Sequence, residues 1–186
     1  MEFLNYIFYG IIQGLTEFIP VSSTAHLKIL SLFFGINDPG SSVSAIIQIG
    51  SVFAIFWYFR KIIFNFKNIN SVKIKYSLSF NRLYKSIFIG TIPIIFIGGL
   101  IKIFVPEFSD SFLRSNLSIA LVSILMSLIM LFADISANKS INLNNHKYQN
   151  SLYIGIAQAF AILPGVSRSG ATISMALLSG WNRKDA

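Results

Sequence analysis

Apolar residues fill this chain in runs of unequal length, and the lengths sort them into two kinds of element. Residues 43–59, 87–105 and 117–133 hold almost no charge. At about 1.5 Å per residue each approaches the roughly 30 Å of a bilayer's hydrocarbon, which predicts three transmembrane helices. The middle one should kink or thin at Pro93 and Gly98–Gly99. The remaining runs are too short or too polar to cross. Residues 3–19 carry Asn5, Gln13, Thr16 and Glu17 and stop at Pro20, and a short apolar return follows at 27–34. Residues 151–163 and 171–181 flank an arginine set among serines and glycines. Each pair predicts a helical hairpin that enters the membrane and turns back. In the second, Pro164 and Gly165 break the first helix, and the small residues after them let backbone N–H groups converge with the Arg168 guanidinium. Such a tip suits an oxyanion such as phosphate.

Composition agrees. Of 186 residues 54% are hydrophobic and the mean hydropathy is +0.66, which marks an integral membrane protein rather than a soluble domain. The absence of cysteine removes disulfides and thiolate metal sites. A net charge of +8 raises nucleic acid as a partner, but seven of the fifteen basic residues lie in residues 60–85, which hold no acid. That asymmetry is a topology signal. It places 60–85 in the cytoplasm, 36–42 and 106–115 (the latter a short turn with Glu107, Asp110 and Arg114) outside, and 136–150 inside.

The expected architecture is therefore all-α and polytopic, a single membrane domain over 1–186. A first re-entrant hairpin spans 3–35, three transmembrane spans lie within 43–135, and a second re-entrant hairpin spans 151–181. The first would enter from outside and the second from inside, with Arg183 and Lys184 at its exit. Gln13, Pro20 and Ser22–Ser23 recur, shifted by one residue, as Gln158, Pro164 and Ser167 with Ser169. Weak similarity with opposite insertion marks an inverted repeat whose broken helices meet near the midplane. The chain would then hold one whole repeat and the opening of another, and residues 1–19, without a basic leader or cleavage site, read as mature protein.

Glu17, Ser22, Ser23, Thr24 and His26 lie within ten residues. With Arg168 they would supply a metal-binding carboxylate, hydroxyl donors, a base or nucleophile and a cation clamp. Cleavage of a phosphoanhydride needs these groups, because most of its catalysis is positioning and charge neutralisation. Blander readings stand beside each. Arg168 could snorkel to a surface, Glu17 could be a capped structural carboxyl, and His26 a hydrogen-bonded core residue. Ser22 and Thr24 could satisfy backbone carbonyls, and Gln48 could simply join two helices. His146 reads as a solvated loop residue.

The same segments carry a family resemblance. GLTEFIPVSSTAH (14–26) and PGVSRSGATIS (164–174) resemble the two signatures of the undecaprenyl-diphosphate phosphatases, also called bacitracin-resistance proteins, and IIQIGSVFAI (46–55) is similar to a third stretch. The resemblance covers the whole chain. It implies hydrolysis of a C55 polyprenyl diphosphate to the monophosphate carrier for peptidoglycan precursors, in the bacterial inner membrane, together with bacitracin resistance. Glu17, His26, Ser23 and Arg168 would be catalytic, and Glu17 would bind a divalent cation, magnesium or calcium. Ser22, Thr24, Ser167, Ser169 and Gly170 would hold the substrate. Partners would be the lipid substrate and membrane lipids, with a homodimer as the protein partner considered and no nucleic acid. The chain departs from the family at Gln13, where some members have a second glutamate, at Ala25, where glycine is usual, and at Ser44, often acidic. Family members continue with three more spans, so the resemblance also implies a C-terminally truncated chain.

Two other functions fit parts of the pattern. An unrelated class of lipid phosphatases uses an S-R-x5-H stretch, but here Ser174 stands where its histidine should be. A polyprenyl-phosphate transporter or flippase would also use paired broken helices, without hydrolysis. An inactive fragment is the third alternative.

Overall fold

A computed structural model describes residues 2–36, 40–64, 80–110, 112–137, 140–142 and 145–186. Most of the basic segment 60–85, on which the predicted sidedness rests, lies outside the described residues. So do 37–39 of the outer loop and 138–139 and 143–144 of the inner one. The described residues are almost wholly helical: α1 (Glu2–Phe18), α2 (Ser23–Phe34), α3 (Gly40–Phe64), α4 (Phe80–Phe104), α5 (Asn116–Ser136), α6 (Tyr148–Ala159) and α7 (Arg168–Leu178). Short 3-10 turns precede α5, at Pro106–Asp110 and Phe112–Arg114, and end α6, at Phe160–Ile162.

Segments of α3, α4 and α5 are long and apolar enough to cross a membrane: Ser42–Arg60, Arg82–Phe104 and Asn116–Ser136. They match the three predicted spans within a few residues. The first two bury only 6% of their most apolar stretch inside the chain, against 22% for α5. Their exposed surface is mostly Ile and Phe, with Trp57 and Tyr58 on α3, which suits lipid as solvent.

The interior is correspondingly polar. On α1, Tyr9, Gln13 and Thr16 are buried while Leu4, Ile7, Phe8, Ile11 and Leu15 are exposed. Steps of four and three residues set the buried three on one helix face. Tyr9 meets Ser31 of α2 at 2.9 Å, and Thr16 donates to the carbonyl of Ile12 at 2.7 Å. Each buried hydroxyl is thus satisfied, as it must be where water is absent. The Tyr9–Ser31 contact also shows that α1 and α2 run antiparallel about a tip at residues 19–22. The αL conformation of Gly35, φ 62°, ends α2.

The second pair repeats this plan. Asn150 of α6 donates to Ser179 beyond the end of α7, so the two helices fold back about a tip at residues 163–167. Gly165 turns that tip with φ +99°, and its carbonyl accepts from Ser123 of α5 at 3.2 Å. A Cβ there would sit 2.8 Å from the Ile119 carbonyl, so α5 seats the tip closely.

α6 crosses α4 at a glycine pair. A Cβ on Gly155 would lie 2.3 Å from the Gly90 carbonyl oxygen, and one on Gly90 3.2 Å from that of Ser151. Small residues let the backbones touch, the usual way membrane helices gain packing without a hydrophobic driving force.

His146 corrects its sequence-based reading. It is fully buried rather than solvated. Its ring lies 5.0 Å from that of Trp181, its Nε2 meets the Ser86 hydroxyl at 2.7 Å, and its carbonyl accepts from Arg82. The segment is held there because Ile141 bridges to Trp181, donating to the carbonyl of Gly180 and accepting from Asn182, each at 2.8 Å. Long-range pairing of this kind leaves no periodic trace in a polar stretch.

The glycine crossing yields a direct test. Gly155→Val should cost roughly 3 kcal/mol by forcing α4 and α6 apart, read as a lower thermal midpoint in detergent. Gly50→Ala, where a Cβ meets nothing within 4 Å, should leave the midpoint unchanged; equal behaviour of the two variants would contradict the crossing.

Candidate active site between the hairpin tips

The two tips meet. Ser169, near the start of α7, donates its hydroxyl to the carbonyl of Ile19 at 3.2 Å, joining positions 150 residues apart. Beside this contact is a cavity of about 180 Å³ lined by α1, α2, α3, the 3-10 turn before α5, and the second tip. The volume is roughly ten times what one water requires, yet below the ~300 Å³ typical of a drug-sized ligand pocket. A polar headgroup fits and a long hydrocarbon chain must lie outside.

Glu17 is the hub. Its Oε2 accepts from Gln13 Nε2 at 2.8 Å and from the Ser23 hydroxyl at 3.2 Å. Its Oε1 accepts from Gln48 Nε2 at 2.7 Å and lies 3.8 Å from an Arg168 guanidinium nitrogen. The last distance is an ion pair but too long for a hydrogen bond. The Arg168 side chain is 53% exposed, against 17% for Glu17, so its donor face is open to the cavity. Gln48 does join two helices, and it does so through the site's carboxylate.

Both tips end in the same cap. Ser22, with φ −73° and ψ 108°, accepts the Ala25 N–H; Ser167, with φ −74° and ψ 122°, accepts the Gly170 N–H. Serine at an N-cap satisfies one of the first turn's orphan donors. The N–H groups of Ser23 and Thr24 and of Arg168 and Ser169 have no partner among the described residues. Two helix N-termini with open donors therefore border one cavity, and each favours negative charge.

Of the residues expected from sequence, Glu17, Ser23, Thr24, Ser167, Arg168 and Ser169 line this cavity. The Thr24 hydroxyl has no partner among the described residues. Ser22, His26 and Gly170 do not line it. Ser22 and Gly170 stand one layer behind, in the two caps. His26 has an exposed ring whose Nδ1 is 2.8 Å from the Ser22 carbonyl. A carbonyl can only accept, so Nδ1 is the donor in this contact.

Gln13, Ser44, Gln48 and Arg114 complete its polar lining. Arg114 had been placed only in a turn. Its signal was a basic residue at the end that the charge asymmetry assigns to the outside, against the general bias.

The donor chemistry around Glu17 is entirely oxygen and amide. Turning the Gln13 or Gln48 amide by 180° presents its carbonyl oxygen in place of its NH₂. One carboxylate, two amide oxygens and the Ser23 hydroxyl then suit a hard divalent cation. Among the described residues no group of three or more His, Cys, Asp or Glu gathers.

Comparison with known proteins agrees with the sequence signatures. The family model described as "Bacitracin resistance protein BacA" matches residues 6–186. An undecaprenyl-diphosphatase of Prochlorococcus marinus subsp. pastoris is 85% identical over 186 residues, covering 100% of this chain and 70% of that protein. The undecaprenyl-diphosphatase of Prochlorococcus marinus strain MIT 9515 is 76% identical with the same coverage. By a match of this extent and identity of this level, the chain belongs to the bacitracin resistance protein BacA family.

Proposed function

We propose that this protein is an undecaprenyl-diphosphate phosphatase, releasing inorganic phosphate from the lipid diphosphate and returning the monophosphate carrier to cell-wall synthesis, with bacitracin resistance as the consequence. The observation that carries the reading is the pairing of Glu17 with Arg168 at a headgroup-sized cavity bordered by two helix N-termini. The relatives named undecaprenyl-diphosphatase support it.

In this reading Arg168 and the open N–H groups of both tips hold the terminal phosphoryl group. They neutralise charge that grows on its oxygens as the anhydride bond breaks. Ser23, Thr24, Ser167 and Ser169 supply hydroxyl donors to the same oxygens. Ser22 and Gly170 act behind them by fixing the two helix starts. His26 would be the base once its ring gives up the bond to the Ser22 carbonyl and turns toward the cavity, where a ring nitrogen would take the proton of the attacking water. Glu17, with the oxygens of Gln13, Gln48 and Ser23, is the seat for magnesium or calcium; a cation bound there would neutralise phosphoryl charge.

The placement is a multi-pass protein of the bacterial inner membrane, with both hairpins re-entrant. α3 carries Ser44 near its start and Gln48 about 12 Å along it; Arg114 lies just before α5. The cavity therefore sits toward the span ends assigned to the outside. A second copy of the chain is the one protein partner in this reading.

Phosphate release from polyprenyl diphosphate in detergent tests the activity. Glu17→Gln should lose both turnover and divalent-cation dependence, and Gln13→Glu should tighten the apparent cation affinity. Carrier exchange without phosphate release would contradict hydrolysis. Arg168→Lys keeps the charge but loses the planar fork, so turnover should fall about tenfold or more; wild-type rates in that variant would return Arg168 to a snorkelling role. For sidedness, Glu107→Cys should react with an impermeant maleimide on spheroplasts and Lys147→Cys only after lysis. The reverse pattern would invert the orientation.

A further inference from the structure

The cavity's charge is not exhausted by Arg168. Its lining holds three charged side chains, Glu17, Arg114 and Arg168, so two guanidiniums face one carboxylate. Arg168 lies beside Glu17 at 3.8 Å. Arg114 is half-buried and makes no hydrogen bond or ion pair among the described residues. Its five donors are thus available to a ligand in the cavity.

Its position is also fixed. Arg114 ends the 3-10 turn Phe112–Arg114. The next residue, Ser115, donates its N–H to the Phe112 carbonyl at 2.9 Å. Ser115 also caps α5 by accepting the Ser118 N–H at 3.2 Å. The backbone on both sides is therefore tied down, and the side chain is presented from an element separate from both hairpins.

We propose that Arg114 is the ligand of the phosphate that is not transferred, the one bonded to the lipid, and so sets the site's preference for an esterified diphosphate headgroup. The proposal rests on the phosphatase reading above. A diphosphate carries two charged groups, and the cavity offers two guanidiniums from independent elements. The one paired with Glu17 belongs with the phosphoryl group undergoing attack, which leaves Arg114 for its neighbour. Arg suits this role because its planar fork donates two N–H bonds to two oxygens of one phosphate.

The assignment separates three ligands. Substrate and lipid monophosphate both contain the phosphate that Arg114 would hold, whereas inorganic phosphate resembles only the transferred group. In the purified full-length protein, Arg114→Gln should raise KM for polyprenyl diphosphate by about tenfold, the loss of one charge-assisted contact. It should raise the inhibition constant of polyprenyl monophosphate by the same factor, and shift that of inorganic phosphate less than twofold. Arg168→Gln should show the opposite inhibitor pattern, measured by binding of radiolabelled phosphate where turnover is lost. Arg114→Lys, which keeps the charge, should recover part of the affinity and controls for folding. If Arg114→Gln weakens all three ligands equally, or none, the assignment is overturned while the phosphatase reading survives. A wild-type protein without phosphate release would overturn that reading itself.

Discussion

A carboxylate largely withdrawn from solvent needs donors from its own protein, and this requirement at Glu17 gathers the structure. Gln13 reaches it from one turn back on α1, Ser23 from the start of α2, Gln48 from α3, and Arg168 from the far hairpin. Each partner belongs to a segment that would otherwise contact its neighbours mainly through apolar side chains, which lipid could replace. The polar hub favours the arrangement that joins these segments.

The second constraint is backbone satisfaction at the two tips. Breaking a helix inside a membrane exposes N–H groups that cost several kcal/mol each without a partner. Here one donor of each broken end is capped by serine, while the first two remain open beside the cavity. In the proposed function, phosphate oxygens of the substrate would complete the set. The site is thus held partly unsatisfied by its own architecture, an arrangement that suits an anion. The close seating of Gly165 on α5 keeps the second tip in register with the first.

Much of this was legible in the sequence because the governing patterns are local. Three long apolar runs gave the spans. Pro20 and Pro164 with their following serines marked both tips, and the recurrence of the serines corresponds to matching N-caps. Glu17, Ser23, Thr24, Ser167, Arg168 and Ser169 could be picked out because polar residues in apolar surroundings are informative. What escaped depends on distant pairing. Arg114 sits in a polar turn whose neighbours across space have no periodic signature. His146 looked solvated because its burial comes from Ser86 and Trp181, 60 and 35 residues away. His26 carries the catalytic expectation by motif, yet its ring is turned outward on the Ser22 carbonyl, a matter of rotamer that spacing cannot specify.

The central claim is that the two hairpin tips meet to build one site, and cross-linking measures it most directly in this cysteine-free chain. The double variant Ile19→Cys/Ser169→Cys should form a disulfide, or a link with a short bifunctional maleimide, in native membranes. Tyr9→Cys/Ser31→Cys, at a contact within one hairpin that the tyrosine ring spans, serves as the positive control for the bifunctional maleimide. The account predicts that both pairs link; a control that links while the 19/169 pair fails under either chemistry would contradict it.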